Sequence, residues 1–322
     1  MPSAIQTKST VSVVVCTFNG GKYLLEQLQS IATQRELPNE LIIVDDGSTD
    51  ATCSIIDKFL KTARCPTRCL RNESTLGVAK NFEKAIREST GQIVMLADQD
   101  DVWEANKLMK LREGLDSSPT ALLLFSNATC IDLKGQRLRS TLWKKVGQRR
   151  VARLLREKER QFSILLGGDI VTGATVAFRR QLAARALPIP MEWLHDAWFA
   201  IFASIKGQIF GLDERLIRYR IHKDQVRGVA GNDIIERALA QRILGKKGDL
   251  RKFLILKNRI SPLLSDAQQV ELDAKILHLQ VRSSLSSQAA KRAIQVFQES
   301  MSGRYGRYSS GLPSMALDLL GH

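Results

Sequence analysis

An α/β fold with a mostly parallel central sheet, followed by a helical C-terminal tail, is what the chain predicts, on three observations. Short β-branched runs alternate with helical patterns from residue 11 to about 126. Three of those runs end in polar turns that carry glycine or carboxylates. From about residue 230 only helical spacing of apolar residues remains. Such alternation calls for parallel strands joined by helices that cover both faces of the sheet.

The elements follow in order. Val11-Ser12-Val13-Val14-Val15 predicts a strand at 11–16; it leads into Cys16-Thr17-Phe18-Asn19-Gly20-Gly21 and a helix at 21–33 with Tyr23, Leu24, Leu28 and Ile31 on one face. Leu41-Ile42-Ile43-Val44 predicts a strand at 40–45. It ends in Asp45-Asp46-Gly47-Ser48-Thr49-Asp50, where Gly47 permits a tight turn and a following side chain can cap a helix at 50–62. Strands at 67–71, 92–97 and 120–125, with helices at 77–89 and 104–115, complete the first half. Residues 127–160 read as a polar, basic excursion with a helix at 148–159. A strand at 172–178, a helix at 192–205 and short strands at 207–211 and 215–221 come next. In the tail, Ile234, Ile235, Leu239, Ile243 and Leu244, then Leu272, Ile276, Leu279 and Val281, keep helical spacing. This shift of texture sets two expected units, residues 1–228 and 229–322.

The most informative stretch is Leu96-Ala97-Asp98-Gln99-Asp100-Asp101-Val102-Trp103, which closes the run Gln92-Ile93-Val94-Met95-Leu96-Ala97. Adjacent carboxylates at the end of a buried strand repel one another and lose hydration. A divalent cation and a phosphorylated ligand make the arrangement favourable, because hard cations take oxygen ligands and bridge to phosphate. Open α/β sheets also bind ligands at the carboxyl ends of their strands. A solvated acidic turn that caps the next helix is the competing reading.

Taken together, Thr17-Phe18-Asn19-Gly20, Val44-Asp45-Asp46-Gly47-Ser48-Thr49-Asp50 and Ala97-Asp98-Gln99-Asp100-Asp101-Val102-Trp103 resemble inverting glycosyltransferase family two, with its GT-A nucleotide-sugar-binding fold. The resemblance continues through Leu76-Gly77-Val78-Ala79-Lys80-Asn81-Phe82, Thr172-Gly173-Ala174-Thr175, His195-Asp196 and Tyr219-Arg220-Ile221-His222. It spans roughly residues 11–228 and is closest to the bacterial rhamnosyltransferase-like branch of surface-polysaccharide enzymes.

The resemblance implies roles residue by residue. Thr17, Asn19 and Asp46 or Asp45 would hold base and ribose, with Asp98 near the ribose. Asp46 keeps an alternative as a helix cap. Gly77 and Asn81 would line the nucleotide side, or simply form a helix N-terminus. Asp100 would bind Mg²⁺ or Mn²⁺, which neutralises the departing nucleoside diphosphate. His222 would complete that metal–diphosphate site, and Arg220 would contact phosphate. Asp196 matches the carboxylate that deprotonates the acceptor hydroxyl. Thr172, Gly173, Trp193 and His195 fall on the acceptor side. Many relatives carry Glu-Asp where this chain has His195-Asp196, so His195 is read as an acceptor ligand, an orienter of Asp196 or a surface residue. The implied reaction moves a sugar, rhamnose in that branch, from a nucleoside-diphosphate donor to a saccharide or lipid-linked acceptor.

Composition sets the frame. The 322 residues are 44% hydrophobic, enough for a sizeable core. No run reaches the roughly 18 apolar residues of a membrane span, and Met1 to Thr10 lacks a signal-peptide core. A cytoplasmic protein is expected, peripheral on the inner face of the membrane if it binds there. The five cysteines form no metal-ligand spacing. The formal charge of +15 concentrates in Lys134 to Arg160, with eleven Lys or Arg against Glu157 and Glu159. That stretch is either a docking surface for anionic phospholipid or a solvated basic face. It lacks the interleaved aromatics and motifs of a nucleic-acid binder, so no nucleic-acid partner is expected. A nucleotidyltransferase would need a Gly-rich triphosphate loop with Lys, which Phe18-Asn19-Gly20-Gly21-Lys22 fits poorly. A catalytically silent membrane scaffold would not need Asp100, Asp196 and His222 together.

Overall fold

The computed structural model describes residues 8–222 and 246–320. Strands β1 (Val11–Thr17), β2 (Glu40–Asp45), β3 (Thr67–Arg71) and β4 (Ile93–Asp98) alternate with helices α1 (Leu24–Ala32), α2 (Thr52–Leu60) and α3 (Val78–Glu88). They pair in parallel in the order β3-β2-β1-β4. Along β1 successive side chains point to opposite faces. Val14 joins the core that holds Ile42, Val94 and Phe82, and Val13 and Val15 join the one that holds Leu41, Met95 and Leu28. Both faces are covered over β1, β2 and β4, which is why these three strands read as largely apolar runs. Each such side chain contributes roughly 1.5–3 kcal/mol on full burial.

Beyond β4 the sheet is mixed. The chain continues as β5 (Val102–Trp103), α4 (Lys107–Asp116), β6 (Leu123–Ile131), β7 (Arg137–Thr141), α5 (Leu142–Val146), α6 (Gln148–Arg156) and α7 (Gln161–Leu166). Then come β8 (Val176–Arg179), α8 (Arg180–Ala186), α9 (His195–Ser204) and β9 (Ile209–Arg220). Strand β8 lies antiparallel between β4 and β6, β9 runs parallel to β6, and β5 and β7 are antiparallel additions.

Three features differ from the sequence expectation. The two short strands near 207–211 and 215–221 are one strand, β9, whose pairing with β6 shifts register around Asn127. Asn127 Nδ2 donates to the Asp213 carboxylate at 2.7 Å and bridges that irregularity. Because β9 supplies a partner, β6 runs on to Ile131, into the span read as a basic excursion. The expected strand at 172–178 starts only at Val176, after a 3₁₀ turn over Gly173–Thr175.

The tail consists of α10 (Lys246–Ile260), α11 (Asp266–Ser283), α12 (Ala289–Met301), α13 (Arg304–Tyr308) and α14 (Leu312–Leu320). Phe253, Leu256, Leu272, Ile276 and Leu279 pack into the same core as Phe178, Trp193 and Phe199. The expected boundary at 228/229 and the helical pattern from Ile234 to Leu244 lie outside the described residues. Among the described residues no helix is long and apolar enough to cross a membrane.

Candidate active site

Parallel register brings the carboxyl ends of β1, β2 and β4 together, with Thr17 opposite Asp45 and Cys16 opposite Asp98. Side chains then sew the turns to one another. Gln99 Oε1 accepts from Thr17 Oγ1 at 2.7 Å and from the Phe18 N–H at 2.9 Å, while its Nε2 donates to the Phe18 carbonyl. Asn19, in the left-handed region at φ 47°, accepts from the Thr49 N–H through Oδ1 at 2.9 Å. Gly20 and Gly21 donate to Thr52 Oγ1 and Asp50 Oδ2, each at 2.9 Å. The first two turns therefore form one wall.

Asp45 and Asp46 hold that wall from behind. Asp45 accepts from Ser48 N–H at 3.0 Å and from its hydroxyl at 2.5 Å. Asp46 accepts from Asn72 Nδ2 and the N–H groups of Leu76 and Gly77 at 2.7–2.9 Å. This clamps residues 72–77 rather than capping the next helix. Gly77, at φ 84°, begins α3, and Asn81 donates to the Val44 carbonyl at 3.0 Å while accepting from Asn72. All six expected nucleotide-side residues of these turns are assembled, with Asp45, Asp46 and Asn81 buried as its struts.

The aspartates of the β4 turn differ. Burial, then Asp100 and Asp196, pushes the Asp98 carboxyl up to about 7. Burial, then Asp100 and Asp98, also holds Asp101 well above its ordinary value. One Asp101 oxygen accepts from the Arg220 N–H at 2.9 Å, and the other has no partner. Lys107 is also buried near these aspartates; its Nζ donates to the Ala174 carbonyl at 2.6 Å and lies 3.6 Å over the Trp103 ring. Asp100 Oδ2 lies 2.5 Å from His222 Nε2. This pair brings one oxygen and one nitrogen donor to the cleft. Among the described residues no group of three His, Cys, Asp or Glu side chains is arranged to hold a metal.

Arg220 corrects an expectation. Its guanidinium donates to the Asp100 carbonyl at 2.8 Å, the Asp132 carbonyl at 3.2 Å and Glu26 at 2.8 Å, and lies 4.3 Å over the Tyr23 ring. At 2% exposure, with its guanidinium engaged by these groups, it is a strut under the aspartate turn.

On the acceptor side, Asp196 sits in the first turn of α9 and accepts from the Gly173 N–H at 2.9 Å and the Ala197 N–H at 2.7 Å. Thr172 precedes this contact, half-buried, and its carbonyl accepts from Thr175. His195 and Trp193 are placed elsewhere. The His195 ring stacks on Phe82 with centroids 3.8 Å apart, and neither ring nitrogen has a partner. Burial lowers its pKa, so the ring is neutral, and it lies under Gly173, where a Cβ would meet Nε2 at 2.6 Å. It therefore makes no hydrogen bond to Asp196, and its burial rules out the surface reading. Trp193 is 2% exposed, donates through Nε1 to the Lys252 carbonyl at 3.1 Å and packs on Trp198 and Phe253. It is a core residue that seats α10.

Sequence reasoning overlooked Gln99, Asn72, Lys107 and Glu26. Gln99 alone carried a signal, as the neutral amide inside a carboxylate motif. A lysine in a helix gives no sign of burial, because exposed lysines are the rule.

The sequence profile described as Glycosyl transferase family 2 matches residues 12–186. The chain belongs to this family. An uncharacterized glycosyltransferase of a Nostoc species is 26% identical over 217 residues, which cover 66% of this chain and 65% of that protein. A putative teichuronic acid biosynthesis glycosyltransferase of Bacillus subtilis is 36% identical over 107 residues, 33% of this chain and 42% of its own. Uncharacterized mycobacterial relatives are 28% identical, and this chain spans 59% of their length. Among solved structures, a Pyrobaculum calidifontis mannosyltransferase in complex with GDP-Man and Mn²⁺ superposes with TM-score 0.56 at 19% identity, over 98% of this chain and 86% of that one. The Staphylococcus aureus TarS fragment in complex with UDP-GlcNAc gives 0.54 at 17% identity, over 93% and 89%. These likenesses show the GT-A-like fold, a mixed α/β sheet with a helical C-terminal region.

Proposed function

We propose that this chain is a metal-dependent inverting glycosyltransferase that moves a sugar from a nucleoside-diphosphate donor to a saccharide or lipid-linked saccharide in surface-polysaccharide synthesis. Rhamnose is the first donor sugar to try, and a lipid-linked acceptor would put the reaction at the cytoplasmic face of the membrane. One observation carries the reading: Asp98 and Asp100 from the β4 turn and Asp196 from α9 converge from distant parts of the chain, close enough that Asp100 and Asp196 both raise Asp98. Relatives whose names place them in cell-wall polymer synthesis, and neighbours that bind sugar nucleotides, support it.

The donor set of a carboxylate and an imidazole, Asp100 and His222, fits a divalent ion, and the nitrogen ligand suits Mn²⁺ better than Mg²⁺. Held there, such an ion supplies positive charge to the departing diphosphate. The Thr17–Gly21 and Asp45–Asp50 wall takes the nucleoside. Asp98, at the end of β4, takes the ribose hydroxyls. Asp196, aimed by two backbone N–H groups, takes the proton of the acceptor hydroxyl. The freed oxygen bonds to the anomeric carbon as the bond to the diphosphate breaks on the opposite face. The diphosphate leaves with that electron pair, and configuration inverts.

The test is nucleoside-diphosphate release from a panel of rhamnosyl, N-acetylglucosaminyl, mannosyl and glucosyl donors with Mn²⁺. One donor should give release that falls about 10²–10⁴-fold in Asp196→Asn, with nearly unchanged affinity for the nucleoside diphosphate. Normal turnover of that variant would remove Asp196 as the base. Pyrophosphate as the product would instead make the chain a nucleotidyltransferase.

A further inference from the structure

Helices α12 and α14 are built inside out. On α12, Glu299 is buried, while Ile294, Phe297 and Met301, spaced to share one face, are 58%, 65% and 75% exposed. On α14, Ser314 and Asp318 are buried, while Leu312 and Leu320 are 76% and 65% exposed. The two helices lie side by side and antiparallel. Arg292 Nε near the start of α12 donates to the Leu319 carbonyl at 3.0 Å, and the Gly311 N–H before α14 donates to the Tyr305 carbonyl at 3.1 Å.

What they bury is a polar network. Glu299 meets His278 Nδ1 at 2.6 Å and Arg304 Nε at 2.8 Å. Asp318 meets Arg282 Nε at 2.6 Å and the Tyr305 hydroxyl at 2.8 Å. Between Ser284 and Leu320 the chain has these two carboxylates and no others, and both are turned inward. Lys291 is exposed, and Arg307, 3.6 Å from Glu271, remains 55% exposed. The outward surface of the pair is thus apolar, carries the exposed Lys291 one turn before Ile294, and has no acid from its own helices.

We propose that this face docks on an anionic phospholipid surface, with Phe297, Met301 and Leu312 entering the headgroup boundary and Lys291 and Arg307 meeting lipid phosphates. Helices that lie in that boundary carry apolar side chains towards the acyl region and basic ones at its rim. A second copy of the chain is the competing occupant. Symmetric pairing through this face would bring Lys291 to an interface in which neither copy's α12 and α14 offers an exposed acid to answer it. The inference stands apart from the transferase reading and needs neither nucleotide nor sugar.

Co-sedimentation of the full chain with phosphatidylglycerol–phosphatidylcholine vesicles, against phosphatidylcholine alone, tests it. The chain should bind the anionic vesicles, and Phe297→Ser with Met301→Ser should weaken binding about tenfold or more. Helix content and nucleoside-diphosphate release should stay unchanged, which separates this outcome from failure of the active-site reading. Lys291→Glu should weaken binding at low salt and have little effect at high salt. Three outcomes overturn the proposal. They are no binding to anionic vesicles, binding lost through Arg149→Glu with Arg153→Glu on α6 but kept in the Phe297–Met301 variant, and a dimer in gel filtration that the same variant dissolves without any vesicle binding.

Discussion

The carboxylates at the tip of β4 and those buried in the tail are surrounded differently. At the tip of β4, Asp98, Asp100 and Asp101 crowd into one turn, an Asp101 oxygen lacks any partner, and burial leads the causes that push Asp98 up. In the tail, burial pushes Glu299 up too, but the Arg304 guanidinium and His278 outweigh it and hold the carboxyl below its ordinary value. Asp318 likewise has Arg282 and Tyr305. A complete set of donors makes a carboxylate a strut, whereas an incomplete one leaves room for a ligand to supply what is missing.

The largest effect that can break this contrast is on turnover. Asp100→Ala should abolish metal-dependent transfer with stability held or raised, because it relieves repulsion. Glu299→Ala should do the reverse, lowering stability by on the order of 3 kcal/mol, since Arg304 and His278 lose their partner, while turnover per folded molecule persists. Urea denaturation beside nucleoside-diphosphate release reads both, and near-normal transfer by Asp100→Ala in chelator ends the metal reading.

A smaller effect sharpens it through pH. With its carboxyl raised to about 7, folded Asp98 keeps a proton that the unfolded chain gives up near the ordinary carboxylate range. Its contribution therefore favours folding at low pH and is lost as pH rises through 7. Asp98→Asn should flatten that part of the urea-midpoint profile between pH 5 and 8. A slope equal to the wild type's would place its source elsewhere.

The smallest effect concerns His195. Both its nitrogens are buried without partners, so His195→Phe should stay within about 1 kcal/mol of the wild type and turn over normally. A loss of rate like that of Asp196→Asn would show that the imidazole reaches the acceptor.

The parallel half of the sheet was legible because its strands are covered on both faces. Unbroken apolar runs marked β1, β2 and β4, and parallel pairing left Thr17, Asp45 and Asp98 no choice but to share an edge. What sequence spacing could not supply was depth. Arg220 and Trp193 sit beside functional positions in the chain, yet packing turns one beneath the aspartate turn and the other towards α10. Strand β9 looked interrupted because Gly211, Asp213 and Glu214 resemble a turn, whereas pairing with β6, bridged at the irregularity by the distant Asn127, keeps the strand in line. Strand β5, two residues long, is too short to carry any periodicity.

Gln99 has a consequence for how this sequence can change over time. A Cβ on residue 20 would lie 2.2 Å from Gln99 Oε1 and 2.8 Å from Thr17 Oγ1. Positions 20 and 99 thus occupy one shared volume, although they belong to different turns. Alanine at 20 would have to displace the Gln99 amide and the Thr17 hydroxyl together, at the expense of the bonds that join the first turn to the third. A mutational scan at one of the two sites should therefore change which substitutions survive at the other.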